Sequence, residues 1–324
     1  GLPRERDLDL TLRNRKIVTL NLKDTSEFEK IWPLVESADV LLEGGRPGVM
    51  ERLGLGPDEC LARNPGLVYG RMTGWGQDGP LAKAAGHDMN YIALAGALYG
   101  IGRADQPPTP PLNLVGDYGG GSMYLVFGIL SALYERSSSG KGQVVDAAIV
   151  DGAASLMTVF AGMYKQGLMT YERGRNVIDS GAHFYDVYQC KDGEWISLGP
   201  IEPKFQKLML ETLKIKYDDL DATYDRKNWA SLKAQIAARI DEKTQAEWNE
   251  ILEGTDCCYA PVLSLEDAAQ HPHNRSRGTF IDVAGVTQPA PAPRFSRSNP
   301  DPIRPPVKQT PEKDDETIRN WLKG

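Results

Sequence analysis

Short runs of β-branched and other apolar residues recur through the first half of the chain. They are Ile17 to Leu20, Ala38 to Leu42, Leu67 to Tyr69 and Val144 to Ala147, and patterns of helical length, Ser26 to Ser37 and Asp58 to Asn64, fill the intervals between the first three. Parallel neighbours need a crossover, so strands alternating with helices build βαβ units. The spacing predicts an α/β protein with a Rossmann-like large domain around a parallel sheet.

This large domain is placed at 1–165, followed by a linker over 166–185. A smaller α+β domain is placed at 186–280. There, strand-like Phe184 to Tyr188 and Trp195 to Leu198 flank a turn at Lys191-Asp192-Gly193, and a helix-rich stretch runs from Glu202 to Glu253. Prolines at 289, 291 and 293, and again from Pro300 to Pro306, mark 281–306 as an extended connector. The end, 307–324, holds a short helix over Asp314 to Leu322 that returns to the large domain. Within the large domain, Tyr118 to Arg136 opens on Gly119-Gly120-Gly121 and is apolar on nearly all sides. Such a helix is expected to be buried, with its amino end and unpaired N–H groups just after Asp117.

Composition narrows the partners. The 324 residues carry a formal net charge of −7, which disfavours a nucleic-acid surface and leaves local basic positions as the only anion sites. The four cysteines, Cys60, Cys190, Cys257 and Cys258, form no CxxC and no cluster with histidine, so neither a metal site nor a disulfide framework is expected. A reducing interior is the expected setting: the cytoplasm, or a peroxisome or mitochondrion in a eukaryote. No stretch has the length and apolarity of a membrane span, and the carboxyl end, Trp321-Leu322-Lys323-Gly324, is not a Ser-Lys-Leu signal. Neither a Walker A sequence nor a GxGxxG fingerprint occurs, so nucleotide hydrolysis and hydride transfer have no support.

Of the four histidines, His271 and His273 flank Pro272 in a polar segment and read as solvated loop positions. His87 stands in Gly86-His87-Asp88-Met89-Asn90-Tyr91, at a predicted helix start after the loop Gly74 to Pro80. Alone it reads as a cap or a satisfied core residue; beside an acid partner it reads as a general base. Asp117 precedes three glycines, which suits a helix N-cap and equally a ligand approaching bare backbone. Glu202 follows a predicted strand and reads as a first-turn carboxylate unless it supports His87. Arg46 and Arg52 bracket a turn beyond the strand ending at Leu42, where open α/β sheets bind anions; otherwise they are solvated. Met157, Met163 and Met169 recur in an apolar segment and fit core packing or an adaptable apolar surface.

At these residues the chain resembles the class III CoA-transferase (CaiB/BaiF) superfamily, and within it the α-methylacyl-CoA racemases. The matching segments are Leu42 to Val49, Arg71 to Gln77, Gly86 to Tyr91, Pro111 to Gly121, Ser139 to Ala147, Ile201-Glu202-Pro203 and Thr255 to Leu263. The resemblance implies interconversion of (R)- and (S)-2-methylacyl-CoA thioesters by proton removal and return at the α-carbon, with no cofactor and no metal, coenzyme A being part of the substrate. It makes His87, supported by Glu202, one base and Asp117 the other, with the Asp117 backbone N–H stabilising the enolate oxygen. Coenzyme A is expected against Thr19, Leu20, Asn21 and Leu22, beside Arg46 and Arg52, and along Gly86, Asp88, Met89, Asn90 and Tyr91. It further implies an interlocked homodimer with Glu202 reaching His87 across the two chains, and a first βα unit that this sequence lacks. His183 stands where racemases carry proline.

Two rival readings accompany this one. In a class III CoA transferase Asp117 would be a nucleophile forming an acyl anhydride; the joint presence of His87 and Glu202 favours the racemase. A non-catalytic CoA-ester binding protein would keep the fold without turnover.

Overall fold

A computed structural model of the chain describes residues 8–307 and 314–323. Its first half runs α1 (Thr25–Phe28), α2 (Trp32–Ser37), β1 (Val40–Glu43), α3 (Val49–Arg52), α4 (Pro57–Arg63), β2 (Val68–Thr73), α5 (Asp88–Leu94) and α6 (Ala97–Gly100). A π-helical stretch, Leu114–Ser122, then continues into α7 (Met123–Ser139), followed by β3 (Val144–Ala148), α8 (Ile149–Leu156) and α9 (Thr158–Lys165). The second half adds β4 (Asp186–Gln189), β5 (Trp195–Leu198), α10 (Pro203–Thr212), α11 (Arg226–Ile240), α12 (Gln245–Leu252) and β6 (Tyr259–Val262). Last come α13 (Leu265–Gln270), α14 (Pro272–Arg277), the hairpin β7 (Phe280–Val283) and β8 (Val286–Pro289), and α15 (Asp314–Leu322).

The chain divides into two units. One comprises the described residues up to Ala38 with those from Leu263 onward; the other is Asp39–Val262. In the first, α15 packs on α2, and Lys30 holds Asp315 at 2.6 Å. The predicted strand at Ile17–Leu20 does not form. That run has no strand partner among the described residues, and the Thr19 N–H donates to the Asp314 carboxylate at 3.2 Å instead. Residues 280–289, placed largely in the connector by the sequence, pair as a hairpin that turns at Ala284-Gly285, both at positive φ.

The second unit holds two sheets. β1, β2 and β3 form a parallel sheet in that order, as the β-branched runs predict, with Glu43 level with Arg71 and Arg71 level with Asp146. Alternation along β2 sends Val68 and Met72 toward α7, where Leu125, Ile129 and Ala132 complete a core with Val68 and Ala147. Gly70 shares that face and lets the layers approach: a Cβ there would lie 2.6 Å from a Leu42 methyl and 3.2 Å from one of Ile129. Tyr69 and Arg71 point the other way. The Tyr69 hydroxyl donates to the Leu55 carbonyl at 2.8 Å. The second sheet is antiparallel, in the order β4-β5-β6, and is backed by α10, α11 and α12 over a core that includes Phe184, Ile196, Leu210, Ile236 and Trp248. Proline at N1 starts α4 and α10, and a Thr244–Glu247 capping box starts α12.

Two expectations about the glycine-rich helix are corrected. Helical structure begins at Leu114, upstream of Asp117, as a wide turn in which the Tyr118 N–H reaches the Asn113 carbonyl five residues back at 3.1 Å. Asp117 is thus inside the helix and not at its mouth. Nor is α7 buried all round. Met123, Val126, Phe127, Leu130 and Tyr134 form one exposed stripe at spacings of three and four residues, with Phe127 72% and Tyr134 80% accessible.

Candidate active site

The carboxyl ends of all three parallel strands meet at one cleft of about 380 Å³. Gly44 to Pro47 follow β1, Thr73 to Trp75 end β2, and Ile149 follows β3; His87 and Asp117 join them in the lining. Ligands in open parallel sheets bind in this position.

His87 is the residue before α5, exposed, and its backbone N–H donates to the Asn90 side chain at 3.0 Å, which fixes the start of the helix. Asp117 accepts a hydrogen bond from the Asn113 side-chain amide at 2.7 Å, a donor four residues back that orients one carboxylate oxygen. Tyr91 forms a wall beside them. Its ring meets Trp75 edge to face at 4.7 Å and occupies space left by two glycines, since a Cβ on Gly74 would fall 2.0 Å from the ring and one on Gly86 2.7 Å away. Burial, and after it the negative charge of Asp117, push the Tyr91 phenol above its ordinary range, so it stays a neutral donor beside the carboxylate.

Asp88 is 4% exposed, and its Oδ2 accepts the Asp117 backbone N–H at 2.6 Å. This N–H, which the resemblance assigns to the enolate oxygen, is bound to a carboxylate within the chain. Its other oxygen, Oδ1, is buried with no hydrogen-bond partner. Gly116 makes the contact possible, because a Cβ there would lie 2.4 Å from Asp88 Oδ2. Asp88 is therefore a brace between α5 and the π-helical stretch, and its side chain is not part of the cleft lining.

The other predicted contacts separate. Arg46, Gly86 and Tyr91 line the cleft with His87 and Asp117. Arg52, Met89 and Asn90 are exposed and do not. Thr19 to Leu22 lie in the other unit, where the Asn21 N–H donates to Glu27 at 2.5 Å. Glu202 stands at the N-cap of α10, outside the lining of the cleft that holds His87. Met157 and Met163 are half-buried and Met169 is buried, all apart from the cleft.

His183, which stands where the related racemases carry proline, is fully buried, its ring edge-on to Phe184 at 5.1 Å and 3.4 Å from the Gln206 amide. Burial, with the Lys233 charge acting the same way, drives its imidazole down to about 4.

One cluster went unread in the sequence. Arg71, 6% exposed, holds Glu43 through Nε at 2.8 Å and Glu51 through Nη1 at 2.7 Å. Its signal was present as opposite charges closing two neighbouring apolar runs, Leu41-Leu42-Glu43 and Tyr69-Gly70-Arg71. Among the described residues no group of three or more His, Cys, Asp or Glu is placed to hold a metal ion, and no helix is long and apolar enough to cross a membrane.

Comparison with known proteins agrees with this geometry. The profile of CoA-transferase family III matches residues 8–314. A Mus musculus protein named α-methylacyl-CoA racemase is 42% identical over 307 residues, 94% of this chain and 80% of its own, and the Homo sapiens protein of that name is 41% identical over 92% and 78%. An acetyl-CoA:oxalate CoA-transferase from Acetobacter aceti is 30% identical over 86% of this chain and 72% of its own. Among solved structures, a CAIB/BAIF family protein from Brucella suis superposes with a TM-score of 0.79 at 24% identity, covering 96% of this chain and 82% of that one. With the parallel sheet, the cleft at its carboxyl ends and a match over nearly the whole sequence, the chain belongs to CoA-transferase family III.

Proposed function

We propose that this chain is an isomerase that interconverts (R)- and (S)-2-methylacyl-CoA thioesters, with His87 and Asp117 as its proton-transfer pair. One observation carries the reading: a histidine and an aspartate from separate segments line the same cleft in a chain 42% identical to a protein named α-methylacyl-CoA racemase.

A proton α to a thioester is weakly acidic, so its removal needs a placed base and stabilisation of the charge that moves to the carbonyl oxygen. Neutral His87 takes the C2 proton, the C–H electron pair shifts into the C2–C1 bond, and the thioester oxygen becomes an enolate. Protonated Asp117 then returns a proton to the opposite face. In the reverse direction ionised Asp117 is the base and the imidazolium of His87 the acid. Between them the pair holds one exchangeable proton in either state. The Asp117 N–H contributes to the oxyanion only by sharing with, or release from, Asp88. Arg46 supplies a cation at the rim for the anionic coenzyme A moiety.

The active form in this reading is a homodimer in which Glu202 of one chain supports His87 of the other. Two features support it: Glu202 lies outside the cleft of its own chain, and the exposed apolar stripe of α7 is of the kind that association covers.

The test is to incubate the protein with a 2-methylacyl-CoA in deuterated water and follow C2. Deuterium uptake with loss of optical purity is expected. Absence of exchange, combined with transfer of coenzyme A to an added carboxylic acid, would overturn the racemase in favour of a transferase using Asp117 as nucleophile.

A further inference from the structure

Behind the loop that carries Arg46 lies a buried ionic clamp. Glu43 is the last residue of β1, and its side chain is 4% exposed. One of its oxygens accepts from Arg71 Nε at 2.8 Å; the other accepts the backbone N–H of Gly45 at 2.6 Å, the residue immediately before Arg46. The same guanidinium reaches Glu51 on α3 at 2.7 Å, just past the far end of that loop. Asp146 stands level with Arg71 on β3, as Glu43 does on β1. Between the two ends, the loop turns through Gly48 at φ 81, and the Val49 N–H closes the turn on the Arg46 carbonyl at 3.0 Å.

We propose that Arg71 is a positioning residue for the acyl-CoA site: it fixes both ends of the Gly44–Gly48 loop and thereby the place of Arg46 in the cleft. The inference rests on the functional reading above for its ligand. A buried guanidinium suits the task because its planar fork sets direction as well as charge, which an ammonium cannot do. Arg71 is itself almost inaccessible, so it acts on the ligand through the loop and not by contact.

Geometry and mere charge predict different outcomes. If Arg71 only neutralised two carboxylates beside an anionic ligand, Arg71→Lys would bind as the unaltered protein does, and Glu51→Ala, which removes a negative charge, would bind more tightly. A positioning role predicts the opposite signs. The experiment titrates coenzyme A into the protein and its Arg71→Lys, Arg71→Met and Glu51→Ala variants, and measures C2 exchange of a 2-methylacyl-CoA in parallel. Losing one charge-assisted contact to an anionic ligand is worth roughly ten- to a hundredfold in affinity. The expected result is therefore a Kd for coenzyme A raised about 10- to 100-fold in both Arg71 variants and several-fold in Glu51→Ala. The KM should follow, while kcat at saturation stays within about threefold.

Binding by Arg71→Lys equal to the unaltered protein, tighter binding by Glu51→Ala, or a fall in kcat at constant KM would each overturn the proposal. Should both Arg71 variants fail to fold, Glu51→Ala decides, because Glu51 is 41% exposed and its loss leaves Arg71 paired with Glu43. The two readings fail separately. Without C2 exchange in the unaltered protein the racemase falls, yet the coenzyme A titration still reports on Arg71. With robust exchange and identical affinities throughout, the positioning role alone falls.

Discussion

Asp88 and Asp117 are joined by one hydrogen bond, and the chemistry of the cleft depends on their having different tasks. Asp88 is buried and accepts the Asp117 N–H, so it sets where the Asp117 backbone sits; Asp117 itself lines the cleft. Replacing Asp88 with Asn exchanges a carboxylate acceptor for an amide one and weakens this brace by about 1 kcal/mol, the difference between charged and neutral hydrogen bonds, which denaturant melts of the two proteins should show. His87→Ala and Asp117→Asn remove the two proposed proton-transfer groups and should each lower C2 exchange by about 10²–10⁴-fold, with coenzyme A affinity retained. Loss of affinity in step with loss of exchange would argue that these residues bind instead of react. His183 belongs to another ledger. Its imidazole, ordinarily near 6.5, is held at about 4 in the folded chain, so the unfolded chain takes up its proton first as pH falls. The stability tied to the neutral form is fully present above about pH 6.5, declines by about 1.4 kcal/mol per pH unit below it, and is exhausted near pH 4. Denaturant melts of the parent and of His183→Asn over pH 4–7 should show the slope in the parent and its flattening in the variant.

Among the elements, β1, β2 and β3 were legible because β-branched runs bounded by turn residues have few other uses. β6 was not, for a physical reason: Pro261 lies within it, level with Ile196, and proline donates no ladder bond, so the run reads as non-strand although an edge position tolerates it. Ile17–Leu20 failed in the opposite way, since a strand's composition specifies nothing without a partner strand. The helix around Asp117 was misplaced because four glycines of low helix propensity conceal its start; each lies where a Cβ would meet neighbouring atoms within 3.0 Å. Gly152 of α8 shows the tolerance, for a Cβ there would lie 1.8 Å from the Gly120 carbonyl oxygen, backbone against backbone. Gly152→Ala must push α8 off the π-helical stretch, with a stability loss of about 1–3 kcal/mol and a drop in kcat as Asp117 shifts. A variant as stable and active as the parent would show that this packing does not position the aspartate. The part of the cleft that was readable is where a motif coincides with a strand end, as at Arg46, or with a helix start, as at His87. The Arg71 clamp escaped because its members lie on three elements, and only the strand register brings them together.

At the level of the whole molecule, the question is which chain completes the site. His87 and Asp117 need no second copy to share a cleft, whereas Glu202 is held at the head of α10, outside it. The stripe from Met123 to Tyr134 has no covering element among the described residues of its own unit, although its composition matches the apolar centre of a stable interface. Hybrid dimers test the arrangement directly. His87→Ala and Glu202→Ala are each expected to be nearly inactive as homodimers. If the support crosses between chains, unfolding the two together and refolding them as a mixture yields hybrids in which one site carries both lesions and the other carries none. Exchange activity should then return toward about a quarter of that of the parent protein, given random pairing with half of the dimers hybrid and half of their sites intact. If Glu202 serves the cleft of its own chain, every site in the hybrid keeps one lesion and no activity returns. A Phe127→Glu substitution on the exposed stripe supplies the control, because a charge there should oppose association and abolish the recovery. Sedimentation of the same samples separates a dimer that fails to form from one that forms without a shared site.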